Sequence, residues 1–283
     1  MITRLLNYMY DLRDRQRINI CLAKGGAMMN ARKIDLRRPS TWEFSGFSQN
    51  GEDGILDVLR SQLTTHNRYF IEIGSSDGIE NNSSWLVIAE KLGGLMVEGS
   101  PRLAERTQRM IINYSIASES VNMFISLKNV DELKKKALNI NPDIFSIDID
   151  GNDYYIAKAV LDGGFRPKIF VVEYNSVYGR SDKKTIIYDE NFVFTKADPS
   201  NLYYGVSIAG WKSFFNAYGY KFVTVERNGV NAFFVDPANF DEKFLQNIEG
   251  LEFAENQFQL RKFRVASESQ FKYIKNKNYF EID

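Results

Sequence analysis

From about residue 48 onward, short apolar runs alternate with amphipathic stretches of helix length. That rhythm predicts a parallel sheet with helices packed on both faces. Residues 69–73 open it as a first strand, and 85–92 follow as helix. A second strand runs over 94–97 and ends at Glu98, followed by helix over 102–110 and a third strand over 111–117. Residues 130–138 form a lysine-rich helix, 143–150 a fourth strand, 154–161 a helix, and 168–173 a fifth strand.

The pattern then changes. Residues 221–225 and 230–235 are β-rich and flank Glu226-Arg227-Asn228-Gly229, and Asn-Gly in that setting predicts a tight hairpin whose central residues take positive φ. Five parallel strands followed by an antiparallel hairpin depart from the usual dinucleotide-dehydrogenase plan. The arrangement expected is instead an α/β Rossmann-like class I methyltransferase fold, a mostly parallel doubly wound sheet whose last strand runs against the others. Helical extensions are expected at both ends, which divides the chain into a basic arm over 1–43, a main domain over 44–238 and a C-terminal extension over 239–283.

Charge separates the arm from the rest. The whole chain balances 36 basic against 36 acidic side chains, which excludes a globally basic nucleic-acid binder, yet residues 1–40 hold nine Arg and Lys against three Asp. Leu5, Met9, Leu12, Ile18 and Leu22 recur there near helical spacing, so the arm is expected to be an amphipathic helix. It has three readings: a helix packed on the main domain or on a second copy of the chain, a peripheral contact with anionic lipid, or a guide for an anionic substrate. Cys21 is the single cysteine and His66 the single histidine, which excludes an internal disulfide and a cysteine zinc cluster and leaves a Ser-His-Asp triad only one base. His66 sits in a polar stretch and reads as a loop residue. No apolar run approaches the roughly 20 residues that span a bilayer, and cytoplasmic residence is the expectation.

The candidate chemistry gathers at strand ends. Glu72-Ile73-Gly74-Ser75-Ser76-Asp77-Gly78 follows the first strand, with glycines for a tight turn and close ligand approach. It is neither Gly-x-Gly-x-x-Gly nor a phosphate-binding Walker loop, and its acids suit an amino group better than a pyrophosphate. Glu98 at the next strand end can accept two ribose hydroxyls. Ser118, after the expected third strand, falls where an adenine would sit. Asp148 and Asp150 share a face at the end of the fourth strand if alternation holds, and Glu173 and Asn175 close the fifth. These oxygens suit a hard cation such as Mg²⁺, or a carboxylate general base in a site without histidine. Asp153 reads as a helix cap or a substrate contact.

Four segments in order, Phe47-Ser48-Gln49-Asn50-Gly51-Glu52-Asp53-Gly54-Ile55, Phe70 to Gly78, Ser146 to Tyr154 and Val172-Glu173-Tyr174-Asn175, resemble FkbM-type S-adenosylmethionine-dependent methyltransferases. Tyr203 to Ser207 and Gly229 to Val235 extend the resemblance, which spans about residues 44–236. It implies O-methyl transfer to a small hydroxylated acceptor, a saccharide or nucleotide-sugar. Glu72, Gly74, Ser75, Asp77 and Gly78 would hold the methionyl part, with Gln49 beside them, and Glu98 the ribose. Asp148 or Asp150 would be catalytic, and Asp148, Glu173 and Asn175 would bind any Mg²⁺. Asp153, Tyr154, Tyr203 and Tyr204 would face the acceptor. Ser76 departs from the pattern, standing where many methyltransferases have a glycine. The alternatives are a degenerate methyltransferase fold used for binding or assembly, with the arm as a homo-oligomer interface, and a sugar oxidoreductase or epimerase, which lacks its glycine fingerprint here.

Overall fold

The computed structural model describes residues 2–283, with side chains from residue 9 onward. Arg4 and Leu5, part of the expected basic stripe, therefore lie outside the described side chains.

Seven strands form one sheet: β1 (Tyr69–Ile73), β2 (Gly93–Glu98), β3 (Ser118–Asn122), β4 (Ile144–Ile147), β5 (Ile169–Glu173), β6 (Lys221–Val225) and β7 (Asn231–Val235). Their order is β3-β2-β1-β4-β5-β7-β6. The first five are parallel, and β7 inserts antiparallel between β5 and β6. This is the Rossmann-like class I methyltransferase arrangement. Because helices cover both faces, β1, β4 and β5 are buried at every position, which is why they read as largely apolar runs. Alternation sends Ile71, Ile73, Phe145 and Ile147 into one core layer, and Phe70, Met96 and Ile144 into the other. The order reverses between β1 and β4, and ligands of open α/β sheets bind at the carboxyl edge of such a switch point.

Three local expectations need correction. Residues 111–117 are not a strand: Ile111 completes the buried face of helix α4 (Pro101–Ile111), while Ile112 and Ile116 point to solvent. The true β3 is a polar edge strand, and such strands carry little apolar signal. The fourth strand stops at Ile147, so Asp148 and Asp150 lie in the loop beyond it, and Asp150 adopts φ +55°. In the β6–β7 turn only Gly229 takes positive φ, with the Gly229 N–H donating to the Glu226 carbonyl.

The arm is a continuous helix, α1 (Ile2–Ala31), laid on the sheet domain. It buries Asp14, Ile18 and Gly25, whereas Met9 and Leu12, expected on its inner face, are exposed. Two of its cations and Arg32 just beyond it turn inward: Arg17 to Asp77, Lys24 to the Ser45 hydroxyl, and Arg32 to Asp57 and the Trp42 carbonyl. The C-terminal segment holds short helices and ends in Tyr279–Glu281, which pairs with Lys184–Ile186. No helix among the described residues is long and apolar enough to cross a membrane.

Candidate active site

The β1 loop is built around close backbone approaches. The Gly74 and Ser75 N–H groups donate to the Val97 carbonyl, and a Cβ on Gly74 would stand 1.7 Å from the Asp148 carbonyl oxygen. Only glycine lets the β1 and β4 loops meet this closely at φ +90°. Ser76, at φ +51°, takes the left-handed conformation that its sequence position suggested for a glycine. Its N–H donates to Glu98 Oε2 at 2.8 Å, while Glu98 Oε1 accepts from the Ser100 N–H at 2.7 Å. Glu98 is thereby aimed from the end of β2 toward the crevice.

Two lobes of one cleft meet at Gly74, Ser76, Asp148 and Asp150. The first is lined by Glu98, Leu103, Phe124, Ile125, Ile149 and Phe192 among others, a slot with apolar walls whose one carboxylate besides the shared Asp148 and Asp150 is Glu98. The second is strongly acidic: Glu52, Glu72, Asp77, Glu80, Asp148, Asp150 and Glu173 face it, with Gln49, Asn81, Asn82, Asn231 and, among the described residues, a single cation, Arg17.

The electrostatics follow from burial. Burial pushes Glu72 up to about 7, although the Ser83 hydroxyl and the Asn82 N–H donate to it and pull the other way. Asp148 lies well above the ordinary carboxylate range, through burial first and then the charges of Asp150, Asp153 and Glu72. Glu173 is raised for the same reasons, with Asp148 and Asp150 as its charged neighbours. Burial also raises Asp150. Asp77 goes the other way: burial would raise it, but the Arg17 guanidinium and the Glu80 and Ile79 N–H groups outweigh that and hold it below its usual value.

The structure thus brings Gln49, Glu72, Gly74, Asp77, Glu98, Asp148, Asp150 and Glu173 to one cleft. Other expected residues lie elsewhere. Ser118 begins β3 at the opposite edge of the sheet, donating to the Leu92 carbonyl at 2.9 Å. Ser75 is fully buried behind the turn, and Gly78 packs on Thr107 of α4. Asn175 spends its amide on the Leu202 and Tyr204 carbonyls and its oxygen on the Val177 N–H, so it does not join the acidic group. Asp153 accepts from the Ile149 and Gly151 N–H groups, shaping the loop that carries Asp150. Tyr154 is packed among Tyr155, Phe214 and Phe280. Tyr204 is buried with its hydroxyl accepting from Gln259, and Tyr203 donates to the Asn278 carbonyl. None of these tyrosines lines either lobe.

Sequence reasoning missed Arg17, Asn82, Phe124, Phe192 and Asn231. Phe124 and Ile125 were hidden by the misplaced third strand. Arg17 and Asn231 reach the cleft through contacts with no local signature.

Seven strands in this order, with a glycine turn after β1 and an acid ending β2, define a class I methyltransferase fold with a cleft at the switch point. No known family's sequence model matches the chain, and no curated protein matches it in sequence. Among solved structures it is similar to an O-methyltransferase from Bacillus cereus in complex with SAH, at 14% identity over 77% of this chain and 89% of that one, TM-score 0.39. It is also similar to TomG, an O-methyltransferase of tomaymycin synthesis from Streptomyces achromogenes in complex with SAM, at 17% identity over 63% and 75%, TM-score 0.40. A third is SAH-bound PaMTH1, a methyltransferase from Podospora anserina, at 13% identity over 64% and 75%, TM-score 0.42. Overlaps this loose carry no functional argument; the strand order and the cleft do.

Proposed function

We propose that the chain is an S-adenosylmethionine-dependent O-methyltransferase of FkbM type, acting in the cytoplasm on a hydroxyl of a small acceptor of the saccharide class. The observation that carries this is the pairing of two unlike lobes across Gly74, Asp148 and Asp150. The apolar slot with Glu98 suits an adenosine, its ribose hydroxyls on the carboxylate and its base against Phe124, Ile125 and Ile149. The acidic lobe suits the ammonium of a methionyl group at Glu72, with Gly74 lining the lobe beside it.

S-adenosylmethionine supplies an electrophilic methyl. With the cofactor bound, the acceptor oxygen would take that methyl as the C–S bond breaks, and Asp148 or Asp150 would accept the hydroxyl proton, leaving S-adenosylhomocysteine. A carboxylate with a raised pKa is the better base for this step, and holding both reactants in line supplies much of the rate. Asp153 positions the base by fixing the loop.

A second reading rests on one observation. Asp148, Asp150 and Glu173 place carboxylate oxygens within 4.8 Å of one another. The set fits a hard divalent cation such as Mg²⁺, which would lower the pKa of the acceptor hydroxyl.

Isothermal titration with S-adenosylmethionine tests the main reading, with micromolar binding expected. No heat at millimolar cofactor would leave a degenerate fold used for binding or assembly. Methyl transfer that survives EDTA but is lost in Asp148→Asn favours the carboxylate base over the metal.

A further inference from the structure

We propose that the acceptor carries a protonated amine beside the hydroxyl that is methylated, held by Glu173 and Asn231. This rests on the methyl-transfer reading above and names the class of its acceptor. Glu173 is the last residue of β5 and faces Asn231, the first of β7, across the antiparallel pair. Both line the acidic lobe. Glu173 is 8% and Asn231 4% exposed, and Glu173 Oε2 and Asn231 Oδ1 are buried with no hydrogen-bond donor. The amide cannot simply turn over, because Asn231 Nδ2 donates to Glu52 Oε1 at 2.8 Å and a carbonyl oxygen there would face a carboxylate.

A buried acceptor left without a donor is costly, so two on facing residues mark a place where a ligand brings the donors. A hydroxyl offers one hydrogen; an ammonium offers three and a positive charge. Charge decides between them. Seven carboxylates face this lobe against one described cation, Arg17, and Arg17 is already paired with Asp77. An ammonium on Glu173 would answer the crowding of Glu173 with Asp148 and Asp150, whereas a phosphate would meet carboxylates and no free cation among the described lining residues. The lobe therefore selects an amino sugar or similar amino alcohol and disfavours a nucleotide-sugar.

The test titrates SAH-loaded protein with glucosamine, glucose and glucose 1-phosphate below pH 7.5, where the amine of glucosamine is largely protonated. Glucosamine should bind at least about tenfold more tightly than glucose, and glucose 1-phosphate more weakly than either. Glu173→Gln should erase the preference for glucosamine while SAH still binds. Equal binding of glucosamine and glucose, no binding of any sugar, or tightest binding of the phosphate would each overturn the proposal. So would micromolar binding of Mg²⁺ alone that turns the preference toward glucose 1-phosphate, since it would give the carboxylates to a metal. The wild-type ranking needs no variant to fold. Failure to load SAH would appear before any sugar is added and would count against the methyltransferase reading instead.

Discussion

Arg17 of α1 donates to the Asp77 carboxylate in the turn after β1, so a side chain from outside the sheet domain forms part of the cleft wall. Arg106 of α4 sits behind this contact, bonded to Asp14 of α1 and 4.0 Å from Asp77. The helix and the turn after β1 are thus tied by one charged network.

Arg17→Ala should weaken S-adenosylmethionine binding by roughly tenfold, because the turn after β1 loses the guanidinium that holds Asp77 in place. Global stability should fall by no more than about 1 kcal/mol, since the pair is partly exposed. Titration calorimetry and urea midpoints separate the two effects, and an unchanged dissociation constant would remove the arm from the site.

Gly74→Ala should abolish cofactor binding and cost roughly 3 kcal/mol or more, since its Cβ would collide with the Asp148 carbonyl at a φ of +90°. Gly219→Ala is the control: φ there is +82°, but nothing lies within 4 Å of the added Cβ. It should cost about 1 kcal/mol and leave binding intact. Thermal unfolding of the two variants with and without cofactor checks the contrast.

Glu98→Gln and Ser118→Ala distinguish the two ends of the sheet. Glu98 lines the slot from the end of β2, and its replacement should raise the cofactor dissociation constant about tenfold. Ser118 lies at the opposite edge, so its loss should leave that constant unchanged and cost about 1 kcal/mol through the hydrogen bond to Leu92. A cofactor-binding defect in Ser118→Ala would contradict this placement.

These contrasts show what the sequence could reveal. β1, β4 and β5 were legible because burial on both faces makes their residues almost uniformly apolar, and Glu72 stood out as the exception in such a run. β3 was not, because Ser118-Glu119-Ser120-Val121-Asn122 is a polar edge strand beside the more conspicuous Ile111-Ile112, and that error displaced Ser118 and hid Phe124. Asp148 and Asp150 were placed at the right edge, but in a strand that in fact ends before them. Asn175 has suitable oxygen chemistry, yet its hydrogen bonds are committed to the backbone. Asn231 could be assigned to the hairpin, but its facing Glu173 depends on β7 inserting next to β5.

The last prediction concerns pH. Burial raises Asp153 to about 6, Asp53 and Glu72 to about 7, and Glu226 to about 8. Backbone N–H groups donate to all four, the Ser83 hydroxyl also donates to Glu72, and these bonds only partly offset the burial. In the unfolded chain the same carboxyls titrate near 4, so between about pH 4 and 8 the folded protein holds more protons than the unfolded one. Stability must then fall as pH rises through that window, and the cofactor-free protein should melt at a higher temperature at pH 6 than at pH 8.5. Cofactor affinity should run the other way, because an ammonium on Glu72 requires the carboxylate: binding should strengthen as pH rises through about 7, up to the pH at which the ammonium itself loses its proton. Glu72→Gln should flatten that binding profile while leaving most of the stability slope, which the other three acids carry. Melting curves across this range, paired with calorimetric titrations at the same pH values, test both slopes. A cofactor-free protein that gains stability from pH 6 to 8.5 would show that these carboxyls are ionised in the fold.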